Sequence, residues 1–177
     1  VYEFVPPIKG VPQGDYTLYS PLPAPTQKQM MTAGSRIKLS AHEEAYTEIA
    51  FSKNDVNLFS DINSNEETGF AIKSGIQSNR KLNGWKDYQV NSMAELEYNS
   101  SHFSFIDRFR YIEFDRDWSM PQDETIAAPE RLLTAKLELL KDLHNVASYQ
   151  INLRERGESL NGSQQTVKLN QQLGKRL

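Results

Sequence analysis

Tyr88, Val90, Ser92, Ala94, Leu96 and Tyr98 fall on one parity of the chain, and Gln89, Asn91, Glu95 and Glu97 fall on the other. Side chains alternate between the two faces of a strand, so this pattern predicts a strand with one apolar and one polar face, interrupted only by Met93 on the polar side. Phe70, Ile72, Ser74 and Ile76 alternate in the same way with Ala71, Lys73, Gly75 and Gln77. Ile37, Leu39 and Ala41 share a parity that Thr47, Ile49 and Phe51 resume beyond His42, Glu43 and Glu44. That predicts two strands, or one bulged strand, between Arg36 and Ser52. Lys53 to Thr68 is polar and reads as a loop closed by Gly69, and Asn83-Gly84 marks a turn before the Tyr88 strand. His102 to Trp118 carries aromatics on both parities and reads as a further extended segment contacted on both faces.

The last third alternates again, over Leu132 to Leu139, Val146 to Arg156 and Gln164 to Gln172. Its first part has two readings. Leu133, Ala135, Leu137 and Leu139 alternate with Thr134, Lys136 and Glu138, which predicts a hairpin turning over Lys141 to Asn145 into Tyr149, Ile151 and Leu153. Pro129 followed by Glu130, with Leu133, Leu137, Leu140 and Ala147 at helical spacings, also fits one amphipathic helix over 129–147. Alternation that runs towards Leu177 without a closing signal, and a strand-like VYEFV at the start, lead us to expect a fragment or processed piece of something larger.

Residues 1–35 hold Pro6, Pro7, Pro12, Pro21, Pro23 and Pro25, which block helix and remove ladder donors. We expect a Pro-rich arm or connector over 1–35 and one β-rich domain over 36–177. The expected fold is all-β, an antiparallel sandwich or a strongly curved sheet. The helix over 129–147 would make it α+β instead.

Composition narrows the function classes. Aromatics are 10% of 177 residues and charged residues 24%, enough for a folded domain. A net charge of −3 without a basic stripe argues against nucleic acid as a partner. The absence of cysteine excludes disulfides, Cys-ligated metals and thiol nucleophiles. No apolar run is long enough for a spanning helix, whereas a membrane-spanning strand needs only about 9–11 alternating residues.

Candidate chemistry is sparse. Asp55, Asn57, Asp61, Asn63, Asn65 and Glu67 recur at spacings that suit the oxygen ligands of a hard cation, and calcium is the one cofactor they suggest. An EF-hand does not fit, because Glu66 stands where Gly is required and Ile72 where the bidentate Glu belongs. The competing reading is a solvated turn whose Asn and Asp side chains bond their own backbone. Trp85 and Tyr88 are candidates for stacking on a glycan, against core filling as the alternative. Glu113 and Asp115, two apart on an extended segment, satisfy the carboxylate separation of a glycosidase, but charges of both signs around them fit cross-strand ion pairs better. His42, His102 and His144 are scattered singly, and no nucleophile or nucleotide motif is present.

Gly14-Asp15-Tyr16, the stretch YTEIAFSKNDVNLFSDINSNEETGFAIK from Tyr46 to Lys73, and RYIEFDRDW from Arg110 to Trp118 together resemble large cell-envelope proteins of Bacteroidota-type bacteria. The resemblance implies an exported, surface or outer-membrane-associated protein and transfers no active-site residues. We therefore expect a non-catalytic structural or interaction module of the cell envelope (periplasm, outer membrane or cell surface). It would dock through sheet edges to other segments of its parent protein or to an envelope partner, with membrane association through an assembled barrel. The edge near Gln164 to Gln172 is the expected docking point. The alternatives are a carbohydrate-binding or calcium-dependent adhesion module and, after that, a glycoside-active enzyme.

Overall fold

Every alternating segment but one becomes a strand, and each strand pairs with its neighbours in sequence. The computed structural model describes residues 5–11, 13, 22–60, 62, 66–82, 84, 87–120, 126–142 and 144–172. Seven antiparallel strands form one sheet in the order β1 to β7: β1 (Gln27–Lys38), β2 (Glu43–Asp55), β3 (Thr68–Lys81), β4 (Gln89–Asn99), β5 (Glu130–Asp142), β6 (Asn145–Arg156) and β7 (Leu160–Asn170). The chain is all-β as expected, and the form it takes is a single sheet that does not close into a barrel. β1 and β7 are the two edges. One side of each has no ladder partner among the described residues.

The Leu132 region is a hairpin and not a helix. Glu130–Asp142 and Asn145–Arg156 pair from Glu130↔Arg156 to Leu140↔Val146, with an irregularity at Leu140/Asp142 before the turn. Cross-strand pairing of Leu133 with Leu153 and of Leu137 with Tyr149 gathers apolar side chains on one face, which outweighs the helical propensity of the segment. β1 begins at Gln27, well before Arg36, so the sheet reaches into the stretch read as a Pro-rich arm.

His102 to Trp118 is not a strand. Between β4 and β5, the described residues 100–120 and 126–129 are irregular except for one short helix, α1 (Phe114–Asp117). The aromatics of His102 to Trp118 are not contacted throughout, since Phe109 and Tyr111 are exposed, and the buried contacts come from a folded segment lying on the sheet. Phe114, Trp118 and Met120 are its buried residues and pack against Leu132 of β5 and Leu160 of β7.

The connections fall into two classes. At one end of the sheet the connections are of four, seven and two residues, 39–42, 82–88 and 143–144. At the other, 56–67 and 100–129 are long, and only 157–159 is short.

Candidate functional site

The register assigns every strand residue to a face. On one face the ladder runs Glu48, Lys73, Glu97, Leu132 and Arg154, and around it lie Glu44, Tyr46, Gln77, Asn91, Glu95, Lys136, Glu138, Gln150 and Asn152. These are polar side chains that satisfy one another. Lys73 Nζ is 3.1 Å from Glu95 Oε1, and Lys136 Nζ is 2.8 Å from Glu138 Oε2. Asn91 Nδ2 donates to Glu138 Oε1 at 3.2 Å.

The opposite face is apolar and is left uncovered by the described residues. It carries Phe51 and Ile49 of β2, Phe70, Ile72 and Ile76 of β3, Leu96 and Tyr98 of β4, Leu133 and Leu137 of β5, and Tyr149, Ile151 and Leu153 of β6. Leu137, in its middle, is 53% exposed, and Phe51 is 54% exposed. A monomeric soluble protein rarely leaves a contiguous apolar patch beyond about 300–600 Å². This one extends across all the central strands.

Its borders are regular. On β2 the apolar positions lie between Lys53 and Glu43, on β5 between Arg131 and Lys141, and on β6 between Glu155 and Asn145. In each case the limits are ten positions apart, about 33 Å of strand. The borders stand level on β5 and β6, where Arg131 pairs with Glu155, and slide between β5 and β2. The ladder from Glu155 runs through Arg131, Tyr98 and Ile72 to Ile49, four positions inside Lys53. The ladder from Glu43 runs through Ser78, Ser92 and Leu137 to Tyr149, four positions inside Asn145. Both borders thus shift by about 13 Å over four strand steps of about 4.8 Å, so the strands lean about 35° from the band's normal and the band is about 27 Å tall.

Aromatic rings mark these borders. Phe51 pairs with Phe70, Phe70 lies 5.6 Å from Tyr98, and the Arg131 guanidinium sits 5.9 Å over the Tyr98 ring, all on the long-loop side. On the short-turn side Lys141 Nζ is 5.8 Å from the Tyr88 ring centre.

The polar face holds the folded segment 100–120. Gly69 makes room for it, since a Cβ there would strike the backbone of His102 and Phe103. Ser104 N donates to Ser52 Oγ at 3.0 Å, and Arg110 pairs with Glu97. Arg154, 1% exposed, is the most deeply buried large side chain among the described residues. Its Nε donates to Glu130 Oε1 at 2.5 Å and its Nη2 to Asp115 Oδ1 at 2.6 Å, while its guanidinium lies 4.3 Å from the Phe114 ring centre. Tyr111 OH donates to Asp117 Oδ2 at 2.8 Å, and that hydrogen bond to a carboxylate pushes the phenol above its ordinary value.

Asp55, Asn57 and Glu67, the candidate cation ligands among the described residues, are engaged by near neighbours. Asp55 Oδ1 accepts from Asn57 N at 3.0 Å, and Asn57 Oδ1 accepts from Phe59 N at 3.1 Å, the local backbone bonding of a turn. Glu67 lies 3.5 Å from Lys53 Nζ. Asp61, Asn63 and Asn65 lie outside the described residues, as does Trp85. No group of three or more His, Asp or Glu placed to hold a metal occurs among the described residues. Tyr88 is half-buried at the band's border. Glu113 and Asp115 are not on a strand: Glu113 precedes α1 and pairs with Arg116 at 2.7 Å, and Asp115 is held by Arg154. The spacing argument for a glycosidase therefore loses its geometry. His42 and His144 lie in turns, and His102 opens the folded segment.

Nothing in the residue pattern marks Arg154 as an anchor, because its partner Asp115 is remote in the chain and β6 reads as an ordinary alternating strand. The two-faced sheet was visible in the alternation. Which face would be covered was not. No helix of the described residues is long and apolar enough to cross a membrane, a statement that does not bear on strands. No family model, curated protein or solved structure matches the chain.

Proposed function

We propose that this sheet is part of the wall of a membrane-spanning β-barrel, a non-catalytic structural module of a bacterial outer membrane. The observation that carries this reading is the sliding band of constant height. A hydrocarbon slab meets tilted strands in such a band, and barrel walls present an apolar belt about 25 Å tall on strands leaning about 35–45°. A packed protein core has no reason to keep its limits ten residues apart on β2, β5 and β6 alike.

Three further features support it. Charged side chains stand at five of the six limits given for β2, β5 and β6, with Asn145 at the sixth, and Asp, Glu, Lys, Arg and His are absent from the band between them, as the cost of charge in hydrocarbon requires. Aromatic rings line the borders, where amphipathic rings suit the interface between lipid and water. Three shorter connections at one end and two long ones out of three at the other match the periplasmic and outer sides of such walls. On this reading β1 and β7 pair with further strands, since an open edge in a bilayer would leave backbone groups unsatisfied. The docking edges expected from the sequence become the seams of the barrel.

The test is membrane extraction. The full chain, made in its own cells, is expected to stay in membranes washed with alkaline carbonate and to leave them only with detergent. Release by the carbonate wash would count against a spanning wall.

A further inference from the structure

We infer that the segment from Ser100 to Met120 is an occluding element, folded into the barrel lumen and latched there by Arg110 and Arg154, so that the outer mouth of the channel is narrowed from within. This rests on the barrel-wall reading, because only a wall with its polar face inward gives that face a lumen.

A loop that merely connected β4 to β5 would project away from the sheet. This one travels across the polar face. Near β2 and β3 its backbone lies directly over Gly69 and Ser52. Phe103, Phe105 and Phe109 form a small aromatic stack, with Phe105 and Phe109 parallel at 5.0 Å and Phe103 edge-on to Phe105 at 4.9 Å. The stack lines a cavity shared with Met30 of β1, Ala50 of β2 and Ala71 of β3. The segment then returns over β4, where Arg110 pairs with Glu97, and over β5 and β6, where Asp115 meets Arg154. It ends over β7, with Trp118 ring carbon Cε3 3.2 Å from the position of a Cβ on Gly162 and the Asp117 carbonyl accepting from Gln164 Nε2 at 2.6 Å. The six strands β2 to β7 are thus bridged by one segment, with Met30 of β1 across the cavity from it.

Its height is also defined. Glu97 and Arg154 belong to the ladder next to Glu155 and Arg131, the long-loop border of the band. The segment lies at the outer mouth, and the polar side chains Thr134, Lys136 and Glu138 lie on the side of it towards the short turns. Both arginines sit under aromatic rings, Arg110 4.6 Å and Arg154 4.3 Å from the Phe114 ring centre, which shields their ion pairs from water and gives each more weight than a surface pair. Occlusion by a loop folded into the interior is a physical means by which a barrel restricts what passes.

Natural absence of cysteine makes size-graded thiol labelling a clean test in intact cells. Three single-cysteine reporters are placed in the full chain: Phe59→Cys in the β2–β3 loop, Thr134→Cys on the polar face and Leu137→Cys in the apolar band. A small membrane-impermeant thiosulfonate is expected to modify Phe59→Cys and Thr134→Cys, and a bulky polyethylene-glycol maleimide only Phe59→Cys. Adding Arg110→Gln and Arg154→Gln is expected to raise bulky labelling of Thr134→Cys by about tenfold or more, as the latch opens locally. In that unlatched background a disulfide between Asp117→Cys and Gln164→Cys is expected to restore protection until it is reduced. Bulky labelling of Thr134→Cys as fast as Phe59→Cys, with Leu137→Cys still protected, would overturn the occlusion and leave the wall intact. Leu137→Cys reacting as fast as Phe59→Cys would overturn the wall reading itself. Leu137→Cys protection in the unlatched variants also reports that they have folded.

Discussion

The ring of Tyr46 lies over Gly75 on the neighbouring strand, so close that a Cβ on Gly75 would stand 2.5 Å from the Tyr46 Cζ. The phenol reaches on to donate to Glu95 of β4, and Lys73 Nζ closes the group at 3.1 Å from that carboxylate. A glycine in a strand leaves backbone exposed and adds no packing, and an aromatic laid across it restores both. Three strands of the polar face are tied together by this arrangement.

Gly75→Ala is expected to displace the Tyr46 ring and to destabilise the sheet by about 1–3 kcal/mol, the usual cost of overpacking. Tyr46→Ala removes the same contact from the other side. The double variant should therefore cost clearly less than the sum of the two, because residues in contact do not behave independently. Denaturant unfolding of the three variants in detergent micelles measures the coupling, and simple additivity would contradict the contact.

Arg154 holds two carboxylates of unequal burial, with the Glu130 side chain 14% exposed and that of Asp115 46% exposed. Truncating the arginine strands a buried carboxylate, and breaking a buried pair typically costs about 3–5 kcal/mol. Arg154→Met should approach the lower end of that range, Glu130→Gln should cost less, and Asp115→Asn, the most screened of the three, should fall within about 1 kcal/mol. Shifts of the denaturant midpoint rank the three directly. An equal loss for Asp115→Asn and Arg154→Met would show that the solvent-side partner carries the cluster.

Asp142, at the β5–β6 turn beyond the apolar band, accepts from Asn145 Nδ2 at 2.9 Å, from His144 N at 2.8 Å and from Asn145 N at 3.0 Å. These donors, the Asn145 side chain first, hold its carboxyl below the usual range. A carboxyl with a depressed folded value contributes stability that is present above its unfolded value of about 3.9 and is lost as the pH falls through the folded one. NMR titration should therefore find Asp142 ionised at pH values where exposed aspartates have begun to protonate. Asn145→Ala should bring it back towards them, and an unchanged titration in that variant would remove the turn from the account.

A charge placed in the apolar band should cost according to depth. Leu137→Arg, near the middle of β5, is expected to destabilise the membrane-inserted state by about 2–4 kcal/mol, and Leu133→Arg, next to Arg131 at the border, by about 0–1 kcal/mol. Unfolding from lipid bilayers measures both. Equal costs at the two positions would argue for a flat protein contact in place of a hydrocarbon slab.

How much of this could be read from the residues follows from what alternation encodes. β3, β4 and the β5–β6 hairpin were visible because their apolar residues keep one parity, and that parity is the face the structure gives them. Parity does not say what the apolar face meets. A core and a lipid slab leave the same period of two, and only the register, which aligns Glu43 with Tyr149 through three other strands, brings out the sliding border. β1 was missed before Arg36 because Gln27, Lys28 and Gln29 precede adjacent methionines on both parities. His102 to Trp118 misled for a physical reason: its aromatics fall on both parities because the segment packs on the sheet and on itself, with Phe109 and Tyr111 exposed.

Site-directed spin labelling along β5, from Glu130 to Asp142 in membranes, distinguishes a lipid-facing wall from a covered sheet face. The odd positions Leu133, Ala135, Leu137 and Leu139 should favour collisions with oxygen over a water-soluble nickel chelate, with the preference greatest near Ala135 and Leu137 and falling towards Arg131 and Lys141. Thr134, Lys136 and Glu138 should show the reverse. Nickel accessibility at Leu137 equal to that at Lys136 would contradict a lipid-facing wall.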